Sequence, residues 1–206
     1  MSLIDYDFIE IGTSDFNTLL QTSKNEFGIS IEPVKHQLDN LPKKPNVKKI
    51  NCAISLDNTN KKSKIFYLED NVIQKYNLPK WIRGCNSLNG FHLKHREYKV
   101  EKFVSIDEID EIPIAQLLIE NNVRKIKFLK LDTEGGDCYI LNHLKKYLES
   151  KSFDYYPTEI LFETNLEIND INLVNKTLKE YKSIGYKIKQ KRPNDILLTR
   201  LDNNLI

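Results

Sequence analysis

The sequence predicts a mixed α/β fold: a mostly parallel sheet with helices on both faces, closed by an antiparallel hairpin. Three observations predict it. Short apolar runs alternate with stretches of helical apolar spacing, the pattern of strand–helix–strand units. Polar and acidic residues gather where several of those runs end. The last two runs are separated only by a short turn through Pro193-Asn194, which cannot hold a crossover helix, so they must pair antiparallel.

Residues 7–11 (DFIEI) read as a first strand ending at Gly12. Ser14 or Asp15 can cap a helix running through Glu26, with Phe16, Leu19, Leu20 and Phe27 near helical spacing. Residues 28–32 (GISIE) form a second strand that ends in Glu32 and Pro33, 34–41 a short helix broken by Pro42 and Pro45, and 48–54 (KKINCAI) a third strand. The stretch 57–104 is less regular, with strands at 63–68 and 99–104 around the polar, aromatic segment WIRGCNSLNGFHLKH. Inside an α/β domain such a segment reads as a binding loop, here an acceptor-side insert. Helix returns at 113–121 and strand at 126–131 (IKFLKL), followed by DTEGGD. A helix at 137–149 presents Ile140, Leu141, Leu144 and Leu148 on one face, then come strand 159–163, helix 169–184 closed by Gly185, and strands 186–191 and 195–200. No linker or repeat divides the chain, so residues 1–206 are expected to form a single domain. A mostly parallel sheet ending in a hairpin is the arrangement of Rossmann-like methyltransferases and differs from the six-stranded parallel sheet of dehydrogenases.

The composition excludes several classes of protein. Of the 206 residues, 40% are hydrophobic and 29% charged, a globular balance, and the net charge of +2 creates no field that calls for nucleic acid. Cys52, Cys85 and Cys138 are scattered and form no CxxC pair, which argues against a disulfide framework or a zinc site and fits a reducing compartment. The N-terminus lacks the pattern of a signal peptide, and no apolar run approaches the roughly 20 residues of a membrane span. A soluble, cytoplasmic protein is expected.

Ligands of open α/β sheets bind at the carboxyl ends of the strands. There the sequence places Glu10, Gly12, Thr13, Ser14 and Asp15 at the end of the first strand, Glu32 and Pro33 at the end of the second, Ala53 near the end of the third and Asp132 after IKFLKL. Gly12 permits a sharp turn and close backbone approach. Glu32, twenty residues after Gly12, has the spacing of an acid that accepts both ribose hydroxyls, and a small residue at 53 leaves space for an adenine. The three glycines that seat a pyrophosphate are missing, and Asp15 is expected to repel one. S-adenosyl-L-methionine carries no phosphate and two cationic groups, so the acids suit it better than a dinucleotide.

These residues resemble the FkbM family of S-adenosylmethionine-dependent methyltransferases. The resemblance runs from about residue 7 to about 200, through FIEIGTSDFNTLL, GISIEPVKHQLDNL, NCAIS, FLKLDTEGGDCYIL and ILFE. Its most specific part is Lys130-Leu131-Asp132-Thr133-Glu134-Gly135-Gly136-Asp137, which is similar to the family's Lys-x-Asp-x-Glu-Gly-x-Glu/Asp signature. It implies seven strands with helices on both sides, S-adenosyl-L-methionine as donor, and O-methylation of a sugar, glycan or small-metabolite hydroxyl. It also implies that Glu10, Gly12 and Asp15 lie in the donor loop, that Glu32 holds the ribose, and that Asp132 and Glu134 stand beside the reacting centre. The first loop departs from the family's common Asp-x-Gly-Ala-Asn-x-Gly, since Thr13, Ser14, Asp15 and Phe16 follow Gly12. In this fold a helix usually precedes the first strand. Only about six residues do so here, so one pocket wall is expected to be absent or to come from another subunit, leaving a homo-oligomer open.

An alcohol gains nucleophilicity from a nearby proton acceptor, and Asp132 and Glu134 are the first candidates. Glu134 could equally be an acid favouring the start of the next helix. His92 and His95 in the insert offer a second source of a base, with His95 also grouped among the acceptor-binding residues. Asn86 and Ser87 could hold the acceptor or the methionine carboxylate, and Trp81 and Arg83 could stack on and grip a sugar. Asp132, Glu134 and Asp137 could ligate a divalent cation, but Asp137 is expected to face its own helix, and no metal is expected to be required. Two alternatives stay open: an inactive binding module with the same fold and, less favoured, an NAD-dependent enzyme.

Overall fold

Alternating apolar residues and helix-spaced segments assemble into two sheets in the computed structural model, which describes residues 2–88, 90–152 and 155–201. The large sheet has seven strands: β1 (Ile4–Ile11), β2 (Gly28–Ile31), β3 (Val47–Ile50), β7 (Val123–Leu131), β8 (Glu159–Glu163), β9 (Tyr186–Lys191) and β10 (Asp195–Arg200). Their order is β3-β2-β1-β7-β8-β10-β9. Five strands run parallel, and β10 is antiparallel to both β8 and β9, as the short turn before it required. From β1 the chain winds outward to β3, then returns to β7 on the other side of β1. The β1–β7 boundary is therefore the topological switch point.

The β1 register decides which side chains face which layer. Ile9 and Ile11 join the main core with Ile126, Leu129 and Leu131 of β7, covered by α5 (Ile114–Glu120), α6 (Asp137–Leu148) and α7 (Ile171–Ser183). Phe8 points to the other face, where Leu20 of α1 (Leu19–Thr22) and Leu38 of α2 (Lys35–Asn40) pack on it. The helix expected from residue 14 or 15 to 26 is thus only four residues long. Ser14 and Asn17 adopt left-handed backbone (φ 48° and 56°), which a helix cannot contain, and Thr18 starts the helix with a capping box closed by Gln21.

Two further strand expectations are corrected. The run 48–54 is divided between two sheets. β3 ends at Ile50, Asn51 donates its side-chain amide to the carbonyls of Glu32 and Pro33, and β4 (Ala53–Ile54) joins a second sheet of order β4-β6-β5. Residues 99–104 are no strand: they turn through Lys99 (φ 56°) into a short 3-10 turn at Glu101–Phe103, and the strand follows as β6 (Ser105–Ile112). β6 pairs antiparallel with β5 (Lys61–Tyr67). Its acid-rich sequence hid it. In the ribbon three of its four acids meet a base across the strand pair, Lys61 opposite Glu111, Lys62 opposite Asp110 and Lys64 opposite Glu108, an arrangement that stabilises paired strands, while Asp107, opposite Ile65, accepts the Tyr67 hydroxyl. The segment between β5 and β6 holds α3 (Asp70–Lys75), a 3-10 turn at Lys80–Gly84 and α4 (Leu93–Glu97), so it is folded. Three outer strands, β3, β5 and β9, carry lysines: Lys48 and Lys49, then Lys61, Lys62 and Lys64, then Lys187, Lys189 and Lys191. Among the described residues no helix is long and apolar enough to cross a membrane.

Candidate active site

A cavity of about 330 Å³ opens at the carboxyl ends of β2, β1 and β7, across the switch point. Ile11, Ile31, Cys52, Ala53, Ile54 and Ile65 supply its apolar surface, and Gly12, Thr13, Ser14, Glu32, Pro33, Lys130, Asp132, Thr133 and Glu134 its polar side. From the insert come Trp81, Gly84, Cys85, Asn86 and Leu88. An apolar chamber with a few convergent polar groups is the ordinary build of a small-molecule site.

Gly12 is required where it stands. Its φ is +79°, and a Cβ there would lie 1.9 Å from the Asp132 carbonyl oxygen. The two strand ends are thereby pressed together, with Asp132 N–H donating to Ile11 O (2.9 Å) and Gly12 N–H to Ile31 O (3.0 Å).

Glu32 is almost wholly buried, and its carboxylate holds the loop after β1. Oε2 accepts the Thr13 and Ser14 amides at 3.0 and 2.7 Å, and Oε1 accepts Val34 N–H at 2.9 Å. Burial pushes its carboxyl up to about 7, against the pull of these amides. Consecutive loop amides are what a phosphate would seek, and here a carboxylate already fills that position. Oε1 keeps acceptor capacity beyond Val34.

Glu10 is fully buried and does not line the cavity. It accepts Leu19 N–H and pairs with Lys130 Nζ at 3.0 Å, so it anchors the start of α1 and holds Lys130 in place. Asp15 also faces away. Arg83 takes it at 2.8 Å and reaches Asp70 with its other amino group, while Asn40 donates to the second Asp15 oxygen. Neither Asp15 as a repeller of phosphate nor Arg83 as a grip on sugar matches this pairing, because each neutralises the other. Instead, the pair ties the loop after β1 to the insert.

The Ser87 main chain exchanges two hydrogen bonds with that of Phe66. His95 is fully buried, away from the cavity, and burial pushes its imidazole down to about 4, so it stays neutral in the core. Trp81 lies at the rim, 46% exposed. Asn86 donates to Gln37 Oε1 while its own Oδ1, like Ser14 Oγ, is buried without a partner. Both residues line the cavity, and buried polar atoms of this kind are normally satisfied.

The signature loop after β7 is the acidic side. Asp132 and Glu134 line the cavity, and Glu134 sits at φ +53°, a strained conformation for a side-chain-bearing residue. The Asp132 side chain is 47% exposed, with Lys130 Nζ at 3.7 Å. Asp137 does not turn onto its own helix as expected but back onto the loop and the neighbouring strand: it accepts Thr133 N–H (2.9 Å) and, across to β8, Glu163 N–H (2.8 Å). Asp137→Ala should therefore cost about 3 kcal/mol, with two buried amides left bare. Urea denaturation measures it, and wild-type stability would contradict this role.

The grouping of Cys85, His92 and Glu134 could not be read from spacing. One ligand atom from each lies within 4.8 Å of the others. Burial, and then the charges of Glu134 and Glu163, hold the Cys85 thiol far above its ordinary range, so it is protonated at neutral pH. His92 itself does not line the cavity but touches it through Glu134.

Comparison with known families agrees with this construction. Residues 10–188 match the family described as the Methyltransferase FkbM domain. No curated protein and no solved structure matches the chain. The matched span contains every strand end that lines the cavity, and the chain belongs to the FkbM methyltransferase family.

Proposed function

We propose that the protein is an S-adenosyl-L-methionine-dependent O-methyltransferase, acting on a hydroxyl of a sugar, glycan or small metabolite as a single domain whose 57–104 segment forms the acceptor wall. The observation that carries the choice of donor is the Glu32 carboxylate seated on the Thr13 and Ser14 amides: it removes the anion site a dinucleotide needs and leaves a chamber suited to a cationic, phosphate-free adenosyl compound. The chain's groups fit such a ligand. Ile31, Pro33, Ala53 and Ile54 would enclose an adenine, Glu32 Oε1 would accept from the ribose, and the unpartnered Ser14 Oγ and Asn86 Oδ1 would meet its polar tail. When bound, the donor supplies an electrophilic methyl group on a sulfonium.

The acceptor chemistry belongs to the other side of the chamber. Glu134 takes the proton of the acceptor hydroxyl, and Asp132 beside it accepts a hydrogen bond from the acceptor and fixes its approach. Trp81 offers an aromatic face at the rim, where a sugar can stack.

Isothermal titration tests the donor half. S-adenosylhomocysteine and S-adenosylmethionine should bind saturably, and NAD should give no heat. Binding of NAD, or of none of the three, would overturn the reading. Release of S-adenosylhomocysteine over a panel of hydroxyl acceptors tests the other half. Donor binding without turnover on any acceptor would favour an inactive binding module.

A further inference from the structure

The Cys85–His92–Glu134 group has the composition of a transition-metal site, and His92 has the residue type of a general base. The hydrogen bonding of His92 argues against both. His92 is the N-cap of α4, and its Nδ1 accepts the Lys94 N–H at 3.1 Å. A nitrogen that accepts must present its lone pair, so the proton of the neutral ring sits on Nε2. Nε2 points toward the signature loop, 3.0 Å from Glu134 Oε2, close enough for a hydrogen bond though not aligned for one, and it has no hydrogen-bond partner. Catalytic hydrogen bonds often tighten only in the Michaelis complex. A metal ligand would need Nε2 bare, and so would a base acting from that nitrogen.

We infer that His92 is a positioning residue: its Nε2–H is held toward Glu134 by the cap at the start of α4, and it aims that carboxylate into the chamber as the proton acceptor. The inference rests on the methyltransferase reading for the task assigned to Glu134, but the tautomer and the contact are properties of the chain itself. The arrangement also accounts for the strained backbone of Glu134. A left-handed residue followed by Gly135, also at positive φ, turns the side chain back toward the insert instead of along α6. His92 then links two segments 42 positions apart, so the insert sets the orientation of the acid in the signature loop.

Histidine-selective 15N labelling tests this on the full chain, which has four histidines. The resonances missing from a His92→Asn variant identify His92. Asparagine is a strong N-cap and cannot reach Glu134, so α4 should stay folded in that variant. Near pH 8, His92 Nδ1 should appear as the bare nitrogen and Nε2 as the protonated one. The Nε2–H proton should be protected from exchange in the wild type and lose that protection in Glu134→Ala. A protonated Nδ1, or an Nε2–H indifferent to Glu134→Ala, would overturn the inference. So would a thiolate–cobalt absorption band on adding Co²⁺, which would mark a metal site. Titration of the same samples with S-adenosylhomocysteine keeps the two claims apart: failure to bind discards the donor reading and leaves the tautomer result standing.

Discussion

Gly12→Ala will lose measurable affinity for S-adenosylhomocysteine and melt about 10 °C below the wild type, corresponding to roughly 4 kcal/mol in a chain of this length. Two effects combine. An alanine at φ +79° bears the strain of left-handed backbone. The larger effect is steric. The new methyl group would sit 1.9 Å from the Asp132 carbonyl oxygen, and a main-chain atom inside a sheet cannot swing aside as the end of a long side chain would. The ends of β1 and β7 would have to separate, loosening the Asp132–Ile11 and Gly12–Ile31 hydrogen bonds at the place where the chamber begins. Differential scanning calorimetry and ligand titration on one preparation check both parts. A melting temperature within about 2 °C of the wild type would show that the strand ends are not held together as described.

The second large effect concerns pH. Most proteins gain stability as carboxylates ionise, because folding lowers their proton affinity. This chain holds several that behave in the opposite way. Burial, and then the charges of Glu134, Asp132, Asp137 and Asp195, raise Glu163 to about 9, and burial raises Glu32 to about 7. Between the ordinary carboxylate range and these values the folded chain retains protons that the unfolded chain has released. Folding stability therefore falls as pH rises through that interval. His95, held at about 4, acts in the other sense, but only below its ordinary value of 6.5. From pH 6.5 to 8.5 the carboxylates dominate, joined toward the upper end by the three buried thiols, which burial raises and which act in the same sense. One retained proton changes stability by about 1.4 kcal/mol per pH unit, so Glu163 contributes up to roughly 3 kcal/mol over the window, less what solvent screening removes. The melting temperature should drop steadily over those two units, and Glu163→Gln, with no proton to retain, should flatten the slope. A melting temperature that rises with pH in this window would refute the account.

The parts of this fold set by local pattern were readable in advance. Gly12 with Glu32, the apolar face of α6 and the short turn before β10 each follow from a few neighbouring residues, and each is present. What escaped the sequence depends on distant partners. β6 reads as a polar loop because its acids make sense only opposite the lysines of β5. α1 is short because Glu10 and the left-handed residues 14 and 17 take over the stretch where a helix would begin. The same distinction runs through the site. Gly12, Glu32, Ala53, Asp132 and Glu134 converge as the strand ends implied. Asp15 and Arg83 look like ligand-binding groups until each is seen to be the other's counterion, from positions 68 apart. Cys85 stands in the sequence as one of three scattered cysteines, and nothing in its spacing announces His92 and Glu134 as neighbours.

The abundant lysines look like compositional bias, yet where they fall has a consequence for how copies of this chain can associate. Of the four outermost strands β4 has only two residues, and the longer β3, β5 and β9 offer backbone edges that a second chain could extend by strand addition, the first step toward aggregation. Lysines along all three place charged side chains at these borders, a protection that edge strands commonly carry. Any lasting self-association would then need a helical or loop surface, and concentrated solutions should resist fibrillar growth.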